Sequence, residues 1–211
     1  MRQPRLANAH FVTDRLLIGG DLDAWDGELA VRQLLELVEL GVTHVLDVRV
    51  EWSDEELVAQ LAPSIRYLHL GIDDAGQRVP DEWFDAVADW DVEALADPEA
   101  KVLAHCHMGI NRGPSAGLAI LLATGWDLRE ALDAIRTARP FAYTDYAEDA
   151  LAWHHRRNDV PAYRRQLDRE VLAAWRADDS VDVGEVIRLK RVQEQEAALR
   201  AADIDDEQLS S

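Results

Sequence analysis

Four short apolar runs punctuate the first half of the chain, at residues 15–18, 43–48 (THVLDV), 65–70 (IRYLHL) and 102–104 (VLA), each followed by a segment with helical signals. Strands this short, separated from one another by helices, are accommodated by a mostly parallel sheet with helices over its faces, an α/β fold. The first run ends in Gly19 and Gly20, a turn signal. Residues 29–40 read as a helix with an apolar stripe of Val31, Leu34, Leu35 and Val38, stopped by Gly41. Ser53 and Glu56 form a capping-box pattern for a helix to Leu61, which Pro63 ends. From Asp81 another helix turns Trp83, Phe84 and Val87 inward, with Trp90 at the margin.

The fourth run delivers the chain into HCHMGINRGPS, residues 105–115. Pro114 suits the first turn of a helix to Ala123, which Gly125 stops. The pairs Asp127/Glu130 and Asp145/Glu148 repeat the capping-box pattern for helices to Ala138 and about His155. Beyond Pro161 the composition becomes charged and alanine-rich; Leu167, Val171, Leu172 and Trp175 are spaced for a helix, and a second is expected at 183–201. The chain thus divides into an α/β domain, 1–160, and a helical extension, 161–211, frayed at its end. The extension packs on its own domain or on a second copy, the latter giving a homodimer through the C-terminal helices.

Composition excludes several functions. The 22 basic and 41 acidic residues give a formal charge of −19, which repels nucleic acid and anionic membranes. One cysteine allows no intrachain disulfide, the first residues lack the apolar core of a signal peptide, and no apolar run reaches transmembrane length, so a reducing cytoplasm is expected.

A loop that leaves a buried strand and ends at a helix N-terminus offers unpaired N–H groups and a positive dipole end, an anion site. Cys106 opens that loop, where a thiol becomes a competent nucleophile. Arg112, six positions on, can fork two oxygens of a tetrahedral anion, and Gly109 permits the positive φ that turns amides inward. A lone cysteine is otherwise a small inert core residue.

HCHMGINR resembles the HC-x-x-G-x-x-R loop of the protein tyrosine phosphatase superfamily, and residues 14–155 look like its dual-specificity branch. The resemblance implies hydrolysis of phosphate monoesters on proteins or peptides in two steps, through a phosphocysteine on Cys106, without metal or cofactor. It implies that Arg112 and the amides of His107, Met108, Gly109, Ile110 and Asn111 hold the phosphate, and that His105 orients the loop. It also implies a general-acid aspartate about thirty residues earlier. GIDDAGQRVP offers Asp73 and Asp74, and the interval from Asp74 to Phe84 fits the family pattern better. The loop carries no lysine, which favours a phosphoprotein over a phosphoinositide.

Gly113 departs from the pattern, since the family places Ser or Thr there to stabilise the departing thiolate; Ser115, two positions along, should point elsewhere. The expected consequence is slow hydrolysis of the phosphoenzyme, or a phosphate-binding module without turnover. LDVRVEW, with its Asp47-x-Arg49 turn, and Arg112-Gly113-Pro114 also resemble rhodanese-like sulfurtransferases and the phosphatases of that fold. In the dual-specificity reading, Asp47 and Arg49 form an ion pair near the loop. The basic cluster at 153–157 either recruits an acidic phosphopeptide or complements a helix C-terminus.

Overall fold

The computed structural model describes residues 2–178 and, beyond them, 182, 185, 186, 188, 189 and 192. The helix expected at 183–201 and the frayed end therefore fall largely outside the described residues. Five strands, β1 (Ala9–Phe11), β2 (Leu16–Gly19), β3 (His44–Asp47), β4 (Arg66–His69) and β5 (Val102–His105), form one sheet in the order β1-β2-β5-β3-β4. Only the β1–β2 pair is antiparallel. The helices are α1 (Gly27–Glu39), α2 (Glu55–Leu61), α3 (Asp81–Leu95), α4 (Arg112–Ala123), α5 (Leu128–Ala138), α6 (Ala147–Arg157) and α7 (Ala162–Asp178).

Side chains alternate across a strand, so the sheet feeds two cores. Leu17, Val45 and Leu103 pack with Leu34, Leu37 and Val58 of α1 and α2. Leu16, Ile18, Leu46, Val102 and Ala104 pack on the other face with α4, whose outer side is covered by α3, α5 and α6. Trp83, Phe84 and Val87 are buried in that core as expected, with Phe84 stacked on Trp153 at 5.6 Å between ring centroids.

Sequence periodicity mis-phased α1. The buried residues are Ala30, Gln33, Leu34, Glu36 and Leu37, whereas Leu35 and Val38 face outward. The reason is polar: the Glu36 carboxylate accepts the backbone N–H groups of Arg5 (2.7 Å), Leu6 (2.7 Å) and Ala7 (2.9 Å), drawing that face under the N-terminal segment. β1 escaped notice because three residues are too few to display alternation.

Two caps also moved. Asp54, not Ser53, is the N-cap of α2, and Ser53 Oγ accepts the Glu55 N–H at 3.1 Å. α6 begins after Tyr146, because the Asp145 N–H is taken by Asn111 Oδ1 at 2.7 Å. Asp127 does cap α5, accepting from the Arg129 N–H, and Gly41 closes α1 at φ +85°.

Within the described residues, α7 packs on α5 and α6. Leu172 and Trp175 are buried while Leu167 is exposed; Trp175 Nε1 donates to Asp133 at 3.0 Å, and the Arg136 guanidinium lies 4.7 Å from the Trp175 ring centroid. The basic cluster at the end of α6 is turned toward α3: Arg156 pairs with Asp81, and Arg157 with Asp85 (2.7 Å) and Asp89 (2.5 Å). These exposed pairs contribute little stability, but they leave neither arginine waiting for a peptide.

Replacing Glu36 by Gln keeps the shape but removes the charge from three hydrogen bonds. The variant should lose about 2 kcal/mol of stability, read in urea unfolding as a lower midpoint at unchanged slope.

Candidate active site

Gly19 of β2 and Asp47 of β3 both lie opposite His105 of β5. The C-terminal ends of three parallel strands are therefore level, and the loops behind them open on one edge of the sheet, where ligands of parallel α/β sheets bind. Cys106, 2% exposed, begins the loop after β5, and its N–H donates to Gly19 O at 3.3 Å.

Arg139, just past α5, determines the course of that loop. Its side chain is wholly buried, and its Nε donates to Gly109 O at 3.0 Å. Nη1 donates to Ile18 O (3.2 Å), Asn8 O (3.4 Å) and His10 Nδ1 (2.9 Å), and Nη2 to Asn8 Oδ1 (3.1 Å) and Met108 O (3.5 Å). Guanidinium nitrogens only donate, so His10 Nδ1 must be the bare, accepting nitrogen of a neutral ring. Burial, reinforced by the Arg139 charge, lowers the His10 pKa to about 4, consistent with that state. Burial also lowers the Arg139 pKa to about 10.

The neighbouring carbonyls are held from outside as well. His107 O accepts the Asp21 N–H at 3.1 Å, and Ile110 O accepts the Tyr143 N–H at 2.7 Å. Across a trans peptide, C=O and the following N–H point in opposite directions, and the chain has no cis peptide among the described residues. Four successive carbonyls drawn outward therefore turn the N–H groups of Met108, Gly109, Ile110 and Asn111 the other way. Gly109 has φ +68°, as expected, and a Cβ there would lie 2.3 Å from Arg139 Nη2 and 2.7 Å from Gly19 O.

Arg112, the first residue of α4, is nearly buried. Its Nη1 and Nη2 grip both oxygens of Glu51, at 2.9 and 2.7 Å, and Nη1 also donates to Ile72 O at 3.0 Å. Its buried Nε has no hydrogen-bond partner among the described residues and lies 3.5 Å from Asp74 Oδ2. Burial opposes the Arg112 charge, but Glu51, the Cys106 sulfur and Asp74 outweigh it and raise its pKa. The hydrogen bonds from Arg112 lower the Glu51 pKa to about 2.

Two residues before Glu51 in the chain, the Asp47/Arg49 pair the sequence suggested is formed. Arg49, fully buried, donates to Asp47 from Nε (2.9 Å) and Nη2 (2.7 Å), and to Asp54 at 2.6 Å. Tyr67 Oη donates to Asp47 Oδ2 at 2.5 Å. His105 Nε2 lies 3.9 Å from Asp47 Oδ1, and burial lowers the His105 pKa, so the ring is neutral.

Of the two aspartates in the loop after β4, Asp74 is the one whose carboxylate reaches the site; Oδ1 accepts from Asn111 Nδ2 at 2.7 Å and from Tyr146 Oη at 3.3 Å. Asp73 enters through its carbonyl, which accepts from Gln77 Nε2 at 2.6 Å. The His107 side chain turns to the rim, 2.7 Å from Asp21 Oδ2 and edge-on to Trp52, and Met108 is partly exposed there. Ser115 Oγ points to Asn111 Oδ1 at 3.4 Å. At Gly113 a Cβ would sit 3.2 Å from Cys106 N and 3.3 Å from Gly19 O, both backbone atoms.

Glu51, Arg139 and Tyr146 are the site-building residues that sequence reasoning missed. Glu51 stands in the LDVRVEW segment, two residues past the Asp47/Arg49 pair. Arg139 carried only the faint signal of a lone cation between an amphipathic helix and Pro140. Inward amides and a guanidinium grouped above a sulfur, with a carboxylate beside them, can hold a tetrahedral oxyanion against the thiol and exchange a proton with it.

No protein-family model matches the chain. Among curated proteins it is 29% identical over 113 residues to human (Homo sapiens) dual specificity protein phosphatase 13B, covering 52% of this chain and 57% of that protein. It is 33% identical over 87 residues to bovine (Bos taurus) dual specificity protein phosphatase 26, covering 41% of each. The chain spans about half the length of the curated relatives it matches. The crystal structure of Tk-PTP in the active form superposes with a TM-score of 0.57 at 25% identity, over 71% of this chain and 97% of that one. In loop sequence and in its curated and structural relatives alike, the chain is similar to dual-specificity-like proteins of the protein tyrosine phosphatase superfamily.

Proposed function

We propose that the chain is a cysteine-dependent phosphatase acting on phosphorylated protein side chains, phosphotyrosine, phosphoserine or phosphothreonine. The observation that carries this reading is the loop of residues 106–112, whose carbonyls are held outward by Asp21, Arg139 and Tyr143, leaving consecutive N–H groups to face the anion site. In the first step the Cys106 thiolate attacks phosphorus, the bond to the ester oxygen breaks, and Asp74 gives that oxygen its proton. In the second step Asp74 takes a proton from water, the water oxygen attacks phosphorus, and the sulfur leaves as thiolate. The amides and the free Nε edge of Arg112 hold the equatorial oxygens through both steps. Glu51 acts on Arg112 alone: by occupying Nη1 and Nη2 it fixes which edge of the guanidinium remains for phosphate.

The rhodanese-like alternative loses its main support, because Asp47 and Arg49 are engaged with each other and with Asp54 and Tyr67. A phosphate-binding module with impaired turnover keeps one specific observation, Gly113, which brings no hydroxyl toward Cys106. No helix among the described residues is long and apolar enough to cross a membrane; the single thiol supports a reducing cytoplasmic setting.

The reading is tested with para-nitrophenyl phosphate in metal-free buffer. Wild type should turn over with a burst of nitrophenol, and Cys106→Ser should lose about 10³-fold or more. Gly113→Ala introduces the crowding of a Cβ without a hydroxyl, and Gly113→Ser introduces both. Steady-state turnover by the serine variant should exceed that of the alanine variant by about tenfold. Equal rates would remove the assigned second-step defect, and an inert wild type with tight phosphate binding would favour the module.

Glu51→Gln should lower kcat/KM about tenfold by letting the guanidinium rotate. The Glu51 pKa is depressed, so its pairing with Arg112 is complete above the ordinary carboxylate range and is lost only as pH falls through about 2. Any acid limb in the wild-type rate above about pH 4 should therefore persist in Glu51→Gln, as a pH profile of the two proteins would reveal.

A further inference from the structure

We propose that Asn111 is a positioning residue for the general acid, selecting which oxygen of Asp74 carries the transferable proton. The proposal rests on the phosphatase reading above and deepens it. The residues concerned are Asn111, Asp74, Asp145 and Tyr146, which join the phosphate loop, the loop after β4 and the start of α6.

The argument begins with an amide whose orientation is not free. Asn111 Oδ1 accepts the backbone N–H of Asp145 at 2.7 Å, and a backbone N–H can only donate. The same oxygen lies 3.4 Å from Ser115 Oγ, the donor in that contact. With its oxygen fixed there, Asn111 must present its NH₂ on the opposite side, where Nδ2 donates to Asp74 Oδ1 at 2.7 Å. Tyr146 Oη lies 3.3 Å from the same Oδ1, its one proton also within reach of Asp73 O (3.4 Å) and Gln77 Oε1 (3.3 Å).

A carboxyl group that receives a short amide hydrogen bond on one oxygen keeps that oxygen as its carbonyl end when protonated. The proton then resides on the other oxygen, Oδ2. In this structure Oδ2 is the oxygen nearest Arg112, 3.5 Å from the unpartnered Nε that would meet the phosphate. Asn111 thus turns the acidic O–H toward the place where the ester oxygen departs. Because Asn111 immediately precedes Arg112, the acid is indexed directly to the phosphate loop rather than through the fold at large.

The test uses two substrates and a double-mutant cycle on the full chain. One substrate is a fluorinated umbelliferyl phosphate, whose leaving group is acidic enough to depart with little help from a proton. The other is phenyl phosphate, whose leaving group needs one. Asn111→Ala should lose about tenfold more kcat/KM on phenyl phosphate than on the umbelliferyl ester, a selectivity in the same direction as that of Asp74→Asn. Placed in the Asp74→Asn background, Asn111→Ala should add less than about twofold, because the group it positions is already gone.

Equal losses on both substrates, or a full further loss in the double variant, would mean that Asn111 merely shapes the phosphate loop, and would overturn the proposal. Failure of the phosphatase reading looks different: wild type hydrolyses neither ester, or Asp74→Asn shows no leaving-group dependence, and the proposal falls with it.

Discussion

A guanidinium buried beneath a loop of backbone is the interaction on which the rest of this site depends. Arg139 pairs with no carboxylate among the described residues; it is satisfied by the carbonyls of Asn8, Ile18, Met108 and Gly109, the side-chain oxygen of Asn8 and the neutral ring of His10. Burying a cation in this way is costly unless every donor finds an acceptor. That requirement dictates the loop, since carbonyls bent down to the arginine send the amides up. The cost of Arg139 and the anion-binding capacity of the loop are two sides of one arrangement.

Three buried or nearly buried arginines, Arg49, Arg112 and Arg139, surround the thiol of a chain whose formal charge is −19. They are handled in three ways. Arg49 is neutralised by Asp47 and Asp54, and although burial works against its charge, those carboxylates raise its pKa; its task is to brace the loop that carries Glu51. Arg112 commits one edge to Glu51, while its Nε edge makes no hydrogen bond among the described residues and has Asp74 Oδ2 3.5 Å away. Arg139 meets dipoles and the Phe141 ring, 4.6 Å from its guanidinium carbon, and no carboxylate among the described residues, so its positive field is directed to the loop and the sulfur. Graded neutralisation of this kind concentrates positive potential at one opening of an otherwise acidic surface.

The fold was legible wherever the signal was local. Short strands ending in glycine or a polar loop, Gly41 after α1 and the Asp127 cap each act within a few residues, and each is found in place. So was the course of the loop, because Cys106, Gly109 and Arg112 lie within seven consecutive positions. What failed was whatever depended on distant partners. The face of α1 was set by Glu36 meeting N–H groups some thirty residues earlier. The start of α6 was set by Asn111, thirty-four residues before Asp145. Arg139 was invisible for the same reason: the hydrogen-bond acceptors of its side chain lie thirty or more positions away.

Arg139 meets Asn8 across 131 positions of sequence. A contact so remote along the chain carries a large loop-closure cost and cannot form until both flanks are present. A chain emerging from synthesis would therefore display Cys106 and Arg112 well before the arginine that bends their loop had appeared, and the N-terminal segment would still be waiting for it. The proposed nucleophile is encoded in the middle of the sequence, but the loop that would make it competent is shaped by the two flanks arriving together. Maturation of the thiol is thereby tied to completion of the domain, a timing built into the order of the residues themselves.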